Sequence, residues 1–161
     1  MGKHYLSTLF SPKSVAVFGA SDRPDSVGQI VFQNMLGSGF RGALYPVNSK
    51  NSEVQGKRAF ASIADIGEEV ELAVIATPPQ TVPGIIESCG IHGVKAAVII
   101  TAGFGEAGAE GAALEKDLLE TARRYNIRLI GPNCLGIMRP SIGLNATFNK
   151  GGANTGNIAF I

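Results

Sequence analysis

The sequence is short of almost everything that does covalent chemistry or crosses a membrane. It has two cysteines and two histidines in 161 residues. Cys89 and Cys134 lie far apart and in no metal-ligand spacing, so they read as reduced thiols rather than as a disulfide. His4 lies in the N-terminal arm. His92 stands in Ile91-His92-Gly93, at a predicted helix end where an imidazole suits the negative pole. No carboxylate pair, metal-ligand cluster or serine triad assembles from the spacing. A formal net charge of +1 gives no reason to expect nucleic acid or an anionic membrane surface as a partner. No apolar run approaches the roughly 20 residues that span a bilayer. Met1-Gly2-Lys3-His4-Tyr5 leads into no signal-peptide core. The expectation is a cytoplasmic protein.

What is present is a core and a set of loops. Hydrophobic residues make up 45 % of the chain, enough for one packed domain. The 21 glycines form no low-complexity block. They stand between apolar runs, where a chain turns or admits a ligand to its backbone. Five such runs read as strands buried on both faces: Ser14–Phe18, Ala43–Val47, Leu72–Ala76, Ala96–Ile100 and Arg128–Ile130.

Helical spacing fills the gaps. A first helix starts near Ser26-Val27-Gly28, capped by Asp25 or Ser26, and runs to Gly37-Ser38-Gly39. Val82, Ile85, Ile86 and Cys89 form the stripe of another. Leu114, Leu118, Ala122 and Tyr125 form a third, which Asn126 closes in a left-handed conformation. Ser62–Ile66 supports at most a short helix. Alternation of strand and helix implies an α/β fold, a doubly wound parallel sheet of Rossmann-like type.

Ligands of open α/β sheets sit at the carboxyl ends of the strands. The residues that follow each strand are therefore the candidate site. Gly19-Ala20-Ser21 follow the first strand and suit a phosphate, with a glycine for close approach and a helix N-terminus beyond. The dinucleotide fingerprint GxGxxG is absent, and a plain strand-to-helix turn explains the loop as well. Asn48 and Lys50 follow the second strand, where an NAD site wants an acid. A lysine there favours a phosphorylated ribose, as in NADP or the 3′-phosphate of coenzyme A, although a solvated surface lysine fits equally. Thr77-Pro78-Pro79 form a stiff corner, a groove wall or simply a turn. Thr101-Ala102-Gly103 and Pro132-Asn133 close the set. Asn133 reads level as a ligand contact or as a tie between loops. Cys134 has no histidine nearby in sequence to activate it.

Taken together and in order, these loops resemble the CoA-binding domain of NDP-forming acyl-CoA synthetases and the related domain of the succinyl-CoA synthetase α subunit. The matching pieces are Ser11-Pro12-Lys13-Ser14-Val15-Ala16-Val17-Phe18-Gly19-Ala20-Ser21, Tyr45-Pro46-Val47-Asn48, Ala76-Thr77-Pro78-Pro79 and Ile100-Thr101-Ala102-Gly103-Phe104. The most specific are Ile130-Gly131-Pro132-Asn133-Cys134-Leu135-Gly136 and Gly143-Leu144-Asn145-Ala146-Thr147-Phe148. The same domain opens a class of bacterial lysine acetyltransferases with a synthetase-like body.

The resemblance implies coenzyme A or an acyl-CoA as ligand. Gly19, Ala20 and Ser21 would approach its phosphates, and Asn48 and Lys50 its adenosine ribose and 3′-phosphate. Thr77, Pro78 and Pro79 would line the groove. Thr101, Ala102 and Gly103 would face the pantetheine arm, with Pro132 and Asn133 beside it. Two departures stand out. Ala102 replaces a glutamate of the succinyl-CoA branch, and the loop from Asp22 to Ser26 is longer. The family's phosphorylated histidine belongs to the following domain, and neither His4 nor His92 matches it. The expected organisation is a CoA-binding domain over 1–150. Residues 151–161 then read as a linker and the start of a strand, Asn157–Ile161, that leads to further synthetase domains; an edge strand of the same sheet fits that pattern equally. Alone, the chain is expected to bind and not to catalyse. The rival functions are an NADP-dependent oxidoreductase domain and a CoA-sensing regulatory module.

Overall fold

In the computed structural model, which describes residues 6–159, five parallel strands form the centre of the molecule. A four-residue helix α1 (Ser7–Phe10) leads into β1 (Ser14–Phe18), α2 (Val27–Gly37) and β2 (Ala43–Val47). A small antiparallel pair, β3 (Glu53–Val54) and β4 (Lys57–Arg58), follows. Then come β5 (Leu72–Ile75), α3 (Val82–Ile91), β6 (Ala96–Ile99), α4 (Ala109–Tyr125) and β7 (Arg128–Ile130). An antiparallel hairpin, β8 (Gly136–Arg139) and β9 (Leu144–Thr147), ends the ordered elements.

The main sheet runs β2-β1-β5-β6-β7. The five strands stand where the apolar runs predict. Two of them, β5 and β6, are one residue shorter than expected, yet the ladder continues: Ala76 N–H donates to the Phe18 carbonyl and Ile100 N–H to that of Ile75, each at 3.0 Å. The strands are apolar throughout because both faces are covered. Ala16 and Phe18 of β1 face a core shared with Val82, Ile86 and Cys89 of α3 and Leu118 and Ala122 of α4. Val15 and Val17 face the other, with Val31, Phe32 and Met35 of α2.

That second face is completed by the hairpin, whose Ile137, Leu144 and Ala146 join the core. Asn34 of α2 donates to the Thr147 and Asn149 carbonyls at 2.8 and 2.9 Å. The hairpin and the β3–β4 pair went unrecognised in the sequence. Ser62–Ile66 is a single 3₁₀ turn over Ile63–Asp65, with Ser62 and Asp65 capping it reciprocally. Ser26, not Asp25, caps α2, accepting from Gln29 N–H at 3.3 Å, and Asn126 closes α4 in the left-handed region (φ 56°). Asn157–Ala159 are exposed and carry no strand; the rest of the expected strand, Phe160 and Ile161, lies outside the described residues, as does His4.

Candidate functional site

The strand order fixes where a groove opens. After β1 the chain moves to β2 on one side, and it later returns to β5 on the other. The loops leaving β1 and β5 therefore diverge, and a crevice forms between them at the carboxyl edge. Two adjoining chambers occupy it, of about 580 and 680 Å³. Gly19, Asn48, Thr77 and Pro78 line both, so the two form one continuous groove.

The first chamber lies between the β2 loop and α3. Lys50 and Ser49 stand on one side, Ile63 and Ser62 below, and Thr81, Gly84, Ile85 and Ser88 along the exposed face of α3. The second lies between the foot of α2 and the loops after β6 and β7. Ser21, Arg23, Ser26 and Gly28 form one wall, and Thr101, Ala102, Asn133 and Cys134 the other. Leu135, two-thirds exposed, and Phe148 stand at its rim.

Of the thirteen residues expected at the site, nine line this groove: Gly19, Ser21, Asn48, Lys50, Thr77, Pro78, Thr101, Ala102 and Asn133. Ala20, Pro79, Gly103 and Pro132 stand behind the lining. Ala20 is fully buried, and its carbonyl accepts from Asn48 Nδ2 at 2.9 Å. Pro79 opens a 3₁₀ turn, Pro79–Thr81, beneath Gly103. Gly103 N–H donates to the Glu106 carboxylate at 2.6 Å, which holds that carboxyl below its ordinary range. Pro132 follows a cis peptide from Gly131.

The lining loops are tied to one another rather than to solvent. Asn48 Oδ1 accepts from Lys50 and Asn51 N–H at 2.8 and 3.0 Å, so its side chain braces the β2 loop against the β1 loop. Thr101 Oγ1 donates to the Thr77 carbonyl at 2.8 Å, and Asn133 N–H donates to the Thr101 carbonyl at 2.9 Å. Three successive loops are thereby fixed before any ligand arrives, which lowers the entropy cost of binding. Asn133 ties the loops through its main-chain N–H and also lines the chamber, so neither of its two readings is excluded.

Burial pushes the Cys134 thiol up, and Sγ lies 3.3 Å from the Ile99 carbonyl. His92 ends α3, its Nδ1 2.8 Å from the Ser88 carbonyl, as its place in the sequence predicts. No cluster of metal-ligating side chains occurs among the described residues. Nor, among those residues, is any helix long and apolar enough to cross a membrane.

Sequence reasoning missed Arg23, Ser26 and Gly28 on one wall and the α3 face on the other. Ser26 had been legible only as a helix cap. Ile85 belongs to the core stripe by its spacing, and it touches the core while also facing the groove.

Comparison with known proteins bears on what the groove holds. The family described as "CoA binding domain" matches residues 13–140. The chain is 49 % identical over 156 residues to the ADP-forming acetate–CoA ligase II subunit alpha of Pyrococcus furiosus, covering 97 % of this chain and 34 % of that protein. It is 45 % identical to the ADP-forming acetate–CoA ligase I of Archaeoglobus fulgidus, over 97 % of this chain and 22 % of that one. Among solved structures, the dinucleotide forming acetyl-coenzyme A synthetase 1 of Ca. Korarchaeum cryptofilum, in complex with phosphate and ADP, superposes with a TM-score of 0.89. The identity is 39 %, over 94 % of this chain and 32 % of that one. The chain thus spans between a fifth and a third of these longer relatives. The family match and these relatives disfavour the oxidoreductase reading: the chain belongs to the family of CoA-binding domains.

Proposed function

We propose that the two-chamber groove holds coenzyme A, free or acylated, and that the chain serves as the CoA-holding part of an ADP-forming acyl-CoA synthetase. One observation carries this reading. The groove is lined by two cations, Lys50 and Arg23, and by no carboxylate, between apolar walls and a glycine turn. That lining suits a polyanion with a flat ring at one end and a neutral arm at the other.

Gly19 and Ser21, with Ala20 shaping the turn through its backbone, face the diphosphate. Asn48 and Lys50 face the adenosine ribose and its 3′-phosphate. Thr77 and Pro78, stiffened by Pro79, form the wall between the chambers. Thr101, Ala102 and Asn133 face the pantetheine arm, with Gly103 and Pro132 setting the backbone behind them. The acyl-transfer and phosphoryl-transfer steps belong to further domains, to which 151–161 lead from a binding domain over 1–150. On this reading the chain alone binds and does not turn over.

The test is calorimetric titration with CoA and with NADP. CoA binds detectably and NADP poorly. Tighter binding of NADP than of CoA overturns the reading. Acyl-CoA formed from ATP, acetate, magnesium and CoA by this chain alone, and abolished by a substitution in it, overturns its silence.

A further inference from the structure

The two chambers hold one cation each: Lys50 in the first, Arg23 in the second. Among the described residues neither has an ion-pair partner. No Asp or Glu lines either chamber, although the chain carries 13 of them against 14 Lys and Arg. Nearby Lys150 is different: it lies 3.7 Å from Asp25 and lines a separate groove. Two unpaired cations in an otherwise charge-free groove are poised for two anionic groups on one ligand, because the chambers are continuous.

The main chain at Arg23 is fixed although its side chain is free. Its N–H donates to Ser21 Oγ at 3.0 Å. Its carbonyl accepts from Ser26 N–H at 3.2 Å and from Ser26 Oγ at 2.8 Å. Ser26 in turn caps α2. A rigid turn therefore presents the guanidinium beside the Gly19 loop and the foot of an 11-residue helix. Lys50 stands across the shared wall, on the loop after β2.

We propose that Arg23 is a further ligand-binding residue that divides the ligand's phosphates with Lys50: Arg23 takes the diphosphate and Lys50 the 3′-phosphate. Arg23 stands where the first N–H groups of α2 also favour negative charge, and its planar fork matches paired phosphate oxygens. Lys50, a point charge on a flexible stem, suits a terminal monoester. This division rests on the CoA reading above.

The experiment titrates the chain with CoA and with dephospho-CoA, which keeps the diphosphate and lacks the 3′-phosphate. Arg23→Ala weakens both ligands by the same factor, about two- to five-fold, as befits an exposed charge contact. Arg23→Lys recovers only part of the loss, because the ammonium keeps the charge and lacks the fork. Lys50→Ala weakens CoA more than dephospho-CoA. Arg23→Gln, which keeps the stem and removes the charge, repeats the Ala loss; recovery in Arg23→Gln shows that truncation disturbed the loop, which thermal melts of each variant report, and overturns the proposal. Unchanged dephospho-CoA affinity in both Arg23→Ala and Arg23→Gln overturns the proposal while leaving CoA binding intact. A parent chain that binds neither ligand overturns the CoA reading itself.

Discussion

Gly28 meets the hardest constraint in the groove. A Cβ on it would stand 1.8 Å from the Gly19 carbonyl oxygen, a backbone atom that cannot swing aside. Gly19 has φ +84°, and a Cβ there would lie 2.6 Å from the Ala76 carbonyl oxygen. Close approach of a phosphate is one reason for a glycine at position 19. The protein's own backbone already excludes a side chain there, and the turn also needs a positive φ. Replacement of Gly28 by Ala is therefore a stability lesion before it is a binding lesion. Overpacking of this kind costs about 1–3 kcal/mol. A urea melt of Gly28→Ala should show a lowered midpoint, and an unchanged midpoint would contradict the packing of α2 on β1.

Cys89 offers a second residue-level test. Burial against the sheet pushes its thiol up to about 12 from an ordinary value of 9.0. Below pH 9 both folded and unfolded chains hold the proton, so stability does not depend on it. Between pH 9 and 12 the unfolded chain ionises and the folded one does not, so stability falls as pH rises. Cys89→Ala removes this titration. Its stability should decline less steeply than the parent's across that window in denaturant melts, whatever its stability at pH 7. Parallel declines for the two proteins would show that Cys89 is not held neutral in the fold.

At the scale of elements, the five parallel strands were legible and the hairpin was not. Val15-Ala16-Val17 or Ala97-Val98-Ile99 is apolar without alternation because helices or the hairpin cover each side. Local composition reports that burial directly. The β8–β9 pair gives no such signal. Gly136-Ile137-Met138-Arg139 and Leu144-Asn145-Ala146-Thr147 become strands by pairing with each other while β9 packs on α2 and β8 on β6, partners distant in sequence, as in the hydrogen bond that Ser38 shares with Gly143. Asn34 is the main polar link. Losing its two donations to Thr147 and Asn149 should cost about 1–2 kcal/mol. Amide exchange at Leu144–Thr147 in Asn34→Ala should accelerate more than at β5. Uniform acceleration across both would mean that the hairpin does not open independently.

The candidate site divides along the same line. Most of the groove-lining residues directly after strands follow from topology, because parallel sheets place those ends together, but Ala20, Pro79, Gly103 and Pro132 do not line the groove. Arg23 does not follow from topology, since one arginine in a loop looks like any solvated charge until the Ser21–Ser26 turn aims it. The groove face of α3 was hidden for a different reason: Ile85 satisfies the core stripe and the groove at once.

At the scale of the molecule, the sheet supplies a rigid floor and the loops a groove whose two cations and lack of lining carboxylates suit an anion. The open groove between α2 and residues 145–152 is the physical alternative, being similar in volume at about 650 Å³ and polar. Its one lysine there is held by Asp25, which leaves it less charge for an anion. Mapping backbone amide shifts as CoA is added distinguishes the two most directly. The shifts should concentrate at Gly19–Arg23, Asn48–Lys50, Thr77, Thr101–Ala102 and Asn133. Shifts confined to Gln29, Gln33, Asn145 and Lys150–Gly152, with those loops unmoved, would contradict the placement of CoA at the carboxyl ends of the strands.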